Sequence, residues 1–140
     1  MGMEINLPNV RAEVEAVFAE YEAALVNNDV ETLNRLFLDS PHTVRYGIAE
    51  NLYGYAEIAA FRAACPPIPL ERTLEDTHIT TYGQDLATVW TLFRRSSLPD
   101  KIGRQSQVWN RTPHGWRVVA AHVSMIPDDI VNNQYNHPKL

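Results

Sequence analysis

Apolar residues recur along the first part of the chain at the spacing of a helix. From Val10 they fall at Val14, Val17, Phe18, Tyr21 and Leu25, which draws one stripe down an amphipathic helix. Pro8 opens that helix, where its missing N–H and fixed φ suit the first turn. The run "NND" at 27–29 breaks the stripe, and Asp29 is placed to cap a second, shorter helix carrying Leu33, Leu36 and Phe37. After Pro41 the period shortens to that of strands, over 42–48 and 51–53. The segment "YAEIAAFRAAC" at 55–65 returns to helix and is stopped by Pro66, Pro67 and Pro69. From Leu70 the pattern is strand, turn, strand, over 70–82, 85–96, 103–111 and 116–125, punctuated by "GQD", "SLPDKIG" and "TPHG". Helices grouped first and strands last predict one α+β domain over residues 1–126, its helices on one face of a curved antiparallel sheet, with a polar tail over 127–140.

The last hairpin shows which side of that sheet faces inward. With "TPHG" as the turn, Arg111 lies opposite Trp116, Trp109 opposite Val118, Gln107 opposite Ala120 and Gln105 opposite His122. Side chains alternate across a strand. One face then collects Gln105, Gln107, Trp109, Trp116, Val118, Ala120 and His122, and it holds both large indoles of the hairpin. That face belongs under the helices. It turns polar at Gln105, Gln107 and His122, three groups a core does not need and a pocket does. The opposite face mixes charges with valines, as in a half-solvated sheet or a sheet-to-sheet contact between copies. A slip of one residue would exchange the two faces.

Two further side chains bear on that pocket. Tyr21 sits on the apolar stripe of the first helix, so its ring points at the sheet. It is either a core tyrosine bonded to a backbone carbonyl or a phenol facing a cavity as acid, base or anchor. In "SPHTVRYG" (40–47), Arg45 is one step out of phase with Val44 and Tyr46. It is either an exposed ion pair on the wet side of a strand or a cation lining a hollow, where it would grip carboxylates in bidentate fashion.

Composition narrows the remaining classes. The chain has 140 residues, a formal charge of −5 and 45% hydrophobic content, enough for one buried core. The acidic balance excludes a general nucleic-acid or anionic-membrane binder. Cys65 is the only cysteine, so it reads as a helix-end packing residue, with neither an internal disulfide nor a cysteine-based zinc cluster. His42, His78, His114, His122 and His137 form no HxH or HxxxH pair, and no metal or cofactor is expected. No GxSxG, P-loop or GxGxxG motif occurs. The start "MGMEINLPNV" lacks the pattern of a signal peptide, and no apolar run approaches the roughly 20 residues of a membrane span; a cytoplasmic protein is expected. Arg94, Arg95 and Arg104, near the 96–102 turn, read as solvated edge charges.

The element order and the closing "VWNRTPHGWRVVAAHVS" resemble the NTF2-like (SnoaL-like) superfamily. That resemblance implies a cone of helices over a strongly curved antiparallel sheet and says little of function. More specifically, "SPHTVRYGIAENLYGYAEIAAFRAA", "ITTYG", "GRQSQVW" and "GWRVVAAHVS" resemble the AtzH-like family over nearly the whole chain. The resemblance implies a cofactor-free amidohydrolase acting on 1,3-dicarboxyurea or a related N-carboxylated ureide, releasing allophanate in cyanuric acid breakdown. The family's functional helix tyrosine and the arginine of "TVRYG" fall on Tyr21 and Arg45. Many members carry arginine where this chain has Cys65, which bears on substrate range. In that chemistry Arg45 holds a carboxylate and Tyr21 gives a proton to nitrogen. Gln105, Gln107 and His122 bond the urea core, and Arg62 is either a second cation or a helix-surface ion pair.

Two other readings fit the same residues. One is a non-catalytic subunit that binds a small anion and supports a partner amidase in ureide or purine breakdown. The other is an oligomerisation hub. All three are compatible with a homodimer or higher homo-oligomer.

Overall fold

The computed structural model describes residues 3–67 and 70–129. Its three helices are α1 (Pro8–Val26), α2 (Val30–Leu36) and α3 (Tyr55–Ala64). The strands are β1 (Val44–Tyr46), β2 (Asn51–Tyr53), β3 (Thr73–Tyr82), β4 (Leu86–Arg94), β5 (Lys101–Thr112) and β6 (Gly115–Pro127). Pro8 does occupy the first turn of α1. Asp29 caps α2 by accepting hydrogen bonds from the Thr32 N–H (3.2 Å) and the Thr32 hydroxyl (2.7 Å), which satisfies a donor the helix end leaves open. Strand β6 runs on to Pro127, and Asp128 accepts from Arg94. Pro127 and Asp128, expected to open a loose tail, are thus held in the fold, and residues 130–140 of that expected tail lie outside the described residues.

The six strands form one sheet in the order β2-β1-β6-β5-β4-β3. The all-antiparallel expectation needs one correction, because β1 pairs with β6 in parallel. Two antiparallel strands can be joined by a tight turn, whereas a parallel pair requires a long crossover. The chain from β2 through β5 supplies that crossover. Helix α1 buries Val10, Val14, Phe18, Tyr21 and Ala24, and α2 buries Leu33 and Leu36. They meet Ala87, Val89, Trp109, Trp116 and Val118 of the sheet in one core.

The β5–β6 register begins as the turn predicts, with Arg111 opposite Trp116 and Trp109 opposite Val118. It then slips by one between Val108 and Trp109, so Val108 faces Ala120, Gln107 faces Ala121, Ser106 faces His122 and Gln105 faces Val123. Val119 is the extra residue of this bulge, which re-aims everything after it on β6. Ala121 and Val123 replace Ala120 and His122 on the helix-covered face. His122 is exposed on the outer face, where its ring meets Tyr46 at 6.2 Å. Trp90 on that outer face is 59% exposed, beside a shallow hollow of about 630 Å³.

Helix α1 is tied to the hairpin through Glu13, whose carboxylate accepts from Trp116 Nε1 at 2.9 Å and from Arg111. The Trp116 hydrogen bond, and then that of Arg111, hold the Glu13 carboxyl below its ordinary value. A carboxyl depressed in the folded state adds stability above its unfolded pKa and loses it as pH falls through the folded one. Glu13→Gln should therefore lower the melting temperature at neutral pH. The gap to the parent protein should close on acidification, which melting curves taken across pH will show.

Candidate active site

Alternation places Arg45 inward. Val44 and Tyr46 point to the outer face, and Arg45 lies in register with Ala121 of β6 and Leu52 of β2, both on the helix side. The row continues through Gln107 to Val89. One strand step along, Val123, Gln105 and Thr91 form the next row. Between these rows and α1 lies a cavity of about 220 Å³, walled by Tyr21, Leu25, Arg45, Ile48, Ala49, Glu50, Leu70, Arg72, Phe93, Arg95, Gln105 and Val123. That volume is below the range of roughly 300–1,000 Å³ typical of drug-sized ligands. It suits a small metabolite.

Tyr21 is 3% exposed. Its ring meets Trp109 edge-on at 6.2 Å and tilts against Phe37 at 6.2 Å. The ring does belong to the hydrophobic core, but no hydrogen bond ties its hydroxyl to any described residue, so the backbone-carbonyl bond of the core-tyrosine reading is not made among them. The phenol is held by ring packing alone, on the wall of the cavity that also holds Arg45.

Arg45 Nη1 donates to Glu50 Oε1 at 3.1 Å, and both side chains are about four-fifths buried, with 19% and 22% exposure. Glu50 reaches it by folding back over Gly47, where a Cβ would stand 1.7 Å from Glu50 Oε1. Only glycine leaves that space open. Both readings of Arg45 therefore hold in part: it makes an ion pair, and the pair forms the cavity wall.

Sequence reasoning missed two further arginines. Arg72, 2% exposed, grips Glu22 of α1 with both prongs, at 2.9 Å from Nε and 2.6 Å from Nη2. Its guanidinium also lies 4.6 Å from the Phe93 ring centre. That ring fits because Gly103 has no Cβ, which would otherwise lie 2.1 Å from it. Arg72 Nη2 donates in addition to Gln105 Oε1 at 3.1 Å. Arg95, read as a solvated edge charge, instead lines the cavity with a buried Nε that has no partner. Arg104 does face away, bonded to Ser124 at 3.2 Å.

Arg62 stands outside the cavity wall, its Nη1 donating to Asn34 Oδ1 at 3.0 Å and its guanidinium 4.3 Å from the Phe37 ring centre. Burial pulls it below its ordinary pKa, with Tyr21 opposing that shift and Arg45 adding to it; an arginine remains cationic even so. Its neighbour is a neutral amide, so the surface ion-pair reading does not hold. Gln107 is buried but turned to the core, where its Oε1 accepts from Trp109 Nε1 at 3.0 Å. His122, on the far side of the sheet, is removed from this site by the Val119 bulge. Cys65 ends α3 as an exposed free thiol.

The AtzH-like family pattern matches residues 3–129. The chain belongs to the AtzH-like family. Among solved structures, this AtzH-like chain is similar to a protein of unknown function from Pectobacterium atrosepticum, with 52% identity over 89% of this chain and 99% of that one, at a TM-score of 0.86. It is also similar to a cystatin-like fold protein from Burkholderia xenovorans, with 51% identity over 90% of this chain and 98% of that one, at a TM-score of 0.85. An NTF2-like protein from Pseudomonas putida shares the fold at 16% identity, covering 88% and 89% of the two chains at a TM-score of 0.70. No protein of curated function matches the chain in sequence. The fold is thus NTF2-like, with three helices on a six-stranded mixed sheet. Among the described residues no group of three or more His, Cys, Asp or Glu side chains is placed to hold a metal ion, and no helix is long and apolar enough to cross a membrane.

Proposed function

We propose that this AtzH-like protein is a cofactor-independent amidohydrolase that removes one carboxyl group from 1,3-dicarboxyurea, or a related N-carboxylated ureide, to give allophanate. The observation that carries this reading is the Tyr21 phenol, buried and without a hydrogen-bond partner among the described residues, on the wall of a small cavity beside Arg45. A proton donor with nothing else to bond is available to a ligand. Arg45 holds one carboxylate of the flat dianion in its planar fork. The bond from the ureide nitrogen to the departing carboxyl carbon then breaks, and its electron pair stays on nitrogen. Tyr21 delivers its proton there as general acid, and the carboxyl group leaves as CO2. Water returns a proton to the phenolate. The sum is one dianion and one proton giving allophanate and CO2, with no redox change.

Incubation of the purified protein with freshly prepared 1,3-dicarboxyurea, followed by allophanate and CO2 over time, tests this. We expect release well above the spontaneous rate. Absence of turnover, with ligand-dependent thermal stabilisation retained, would overturn it in favour of a binding subunit that supports a partner amidase.

A further inference from the structure

Four arginines lie in or beside the cavity, and only two have a carboxylate partner. Arg45 is paired with Glu50 and Arg72 with Glu22. Arg62 bonds a neutral amide. Arg95 makes no side-chain hydrogen bond or ion pair with any described residue. Glu71 shares a shallow surface hollow with Arg95, but Ser96 engages it through both its N–H and its hydroxyl. Of the three arginines on the cavity wall itself, Arg95 alone has no carboxylate partner among the described residues, which leaves one positive charge there for an anionic ligand.

The second orphan is Gln105, which is 3% exposed. Its Oε1 is committed to Arg72, which is itself clamped by Glu22. The carboxamide is thereby fixed, leaving Nε2 as its open end, and that atom is buried without a partner. Both residues line the cavity, and two buried N–H donors left unmade beside it are costly unless a ligand accepts from them. One belongs to a cation and the other to a neutral amide, a pairing that favours a carboxylate over a carbonyl oxygen.

We propose that Arg95 Nε and Gln105 Nε2 form the site for the second carboxylate of the substrate, with Arg72 a positioning residue that aims the Gln105 amide. The site selects dianions over monoanions of the same outline. This assignment rests on the ureide reading only for the identity of the ligand, since the two donors are present whatever reaction follows.

The test compares two carbon analogues that differ by one carboxylate, 3-oxoglutarate and acetoacetate, by calorimetric titration. The parent protein should bind the dianion at least about tenfold more tightly, and Arg95→Met should bring the two ligands within about twofold of each other. Reading the ratio separates a lost carboxylate site from general damage, which weakens both ligands alike. Should Arg95→Met fail to fold, Gln105→Glu keeps the side-chain size while replacing the donor by a carboxylate, and the ratio should collapse there too. An unchanged ratio in the folded variant, or no discrimination by the parent protein, overturns the assignment. If the ratio collapses while 1,3-dicarboxyurea is not turned over, the dianion site stands and the catalytic reading falls. If 1,3-dicarboxyurea is turned over while the ratio stays unchanged, the catalytic reading stands and the dianion site falls.

Discussion

Replacement of Tyr21 by Phe should cut turnover of the ureide by about 10²- to 10⁴-fold, the usual contribution of a positioned general acid, while leaving the protein folded. The change removes one oxygen and nothing else. The ring remains to meet Trp109 and Phe37, each 6.2 Å away. Because the hydroxyl bonds no described residue, its loss should alter unfolding free energy by less than about 1 kcal/mol. Melting curves and single-turnover rates on the same sample separate the two effects. The split between kcat and KM is informative as well. An acid that acts as the C–N bond breaks lowers kcat and kcat/KM together, whereas a mere anchor raises KM. A Phe variant with full activity removes Tyr21 from the chemistry.

The parts of this site that could be read from sequence are those where strand alternation applies without interruption. Arg45 falls out of phase with Val44 and Tyr46, and that phase does point it at the helices. Gln105 and Trp109 share the inner face as their spacing requires. His122 escaped because Val119 adds a residue on one strand only, and a bulge in the middle of an apolar run leaves no turn signal. Arg95 was legible in principle, since it continues the phase of Val89, Thr91 and Phe93, all buried. Its neighbour Arg94 takes the opposite side and pairs with Glu75 and Asp128. Two adjacent arginines read as one charged edge hid that difference. Arg72 carried no local sign at all, because its role depends on Glu22 of α1 and Gln105 of β5, contacts that only the tertiary fold creates.

Replacement of Arg45 by Ala should raise KM far more than it lowers kcat. Truncating one member of a buried, hydrogen-bonded charge pair costs about 2–5 kcal/mol of binding, equivalent to roughly 30- to several-thousand-fold in affinity. Part of that cost comes from what is left behind. Without Arg45, the Glu50 carboxylate, only 22% exposed, is unpaired on the wall of a cavity that must accept an anion. The double variant Arg45→Ala/Glu50→Gln should therefore bind better than the single one, and the non-additivity measures the repulsion. Glu50→Gln alone should lower KM, since the substrate carboxylate no longer competes with an internal carboxylate for the same guanidinium. Glu50 thus holds Arg45 in place on the cavity wall, and the proposed reaction requires a ligand carboxylate to take its place. If Arg45→Ala leaves KM unchanged and depresses only kcat, Arg45 acts on the transition state rather than on the bound substrate. In that event the carboxylate assigned to it belongs elsewhere in the cavity.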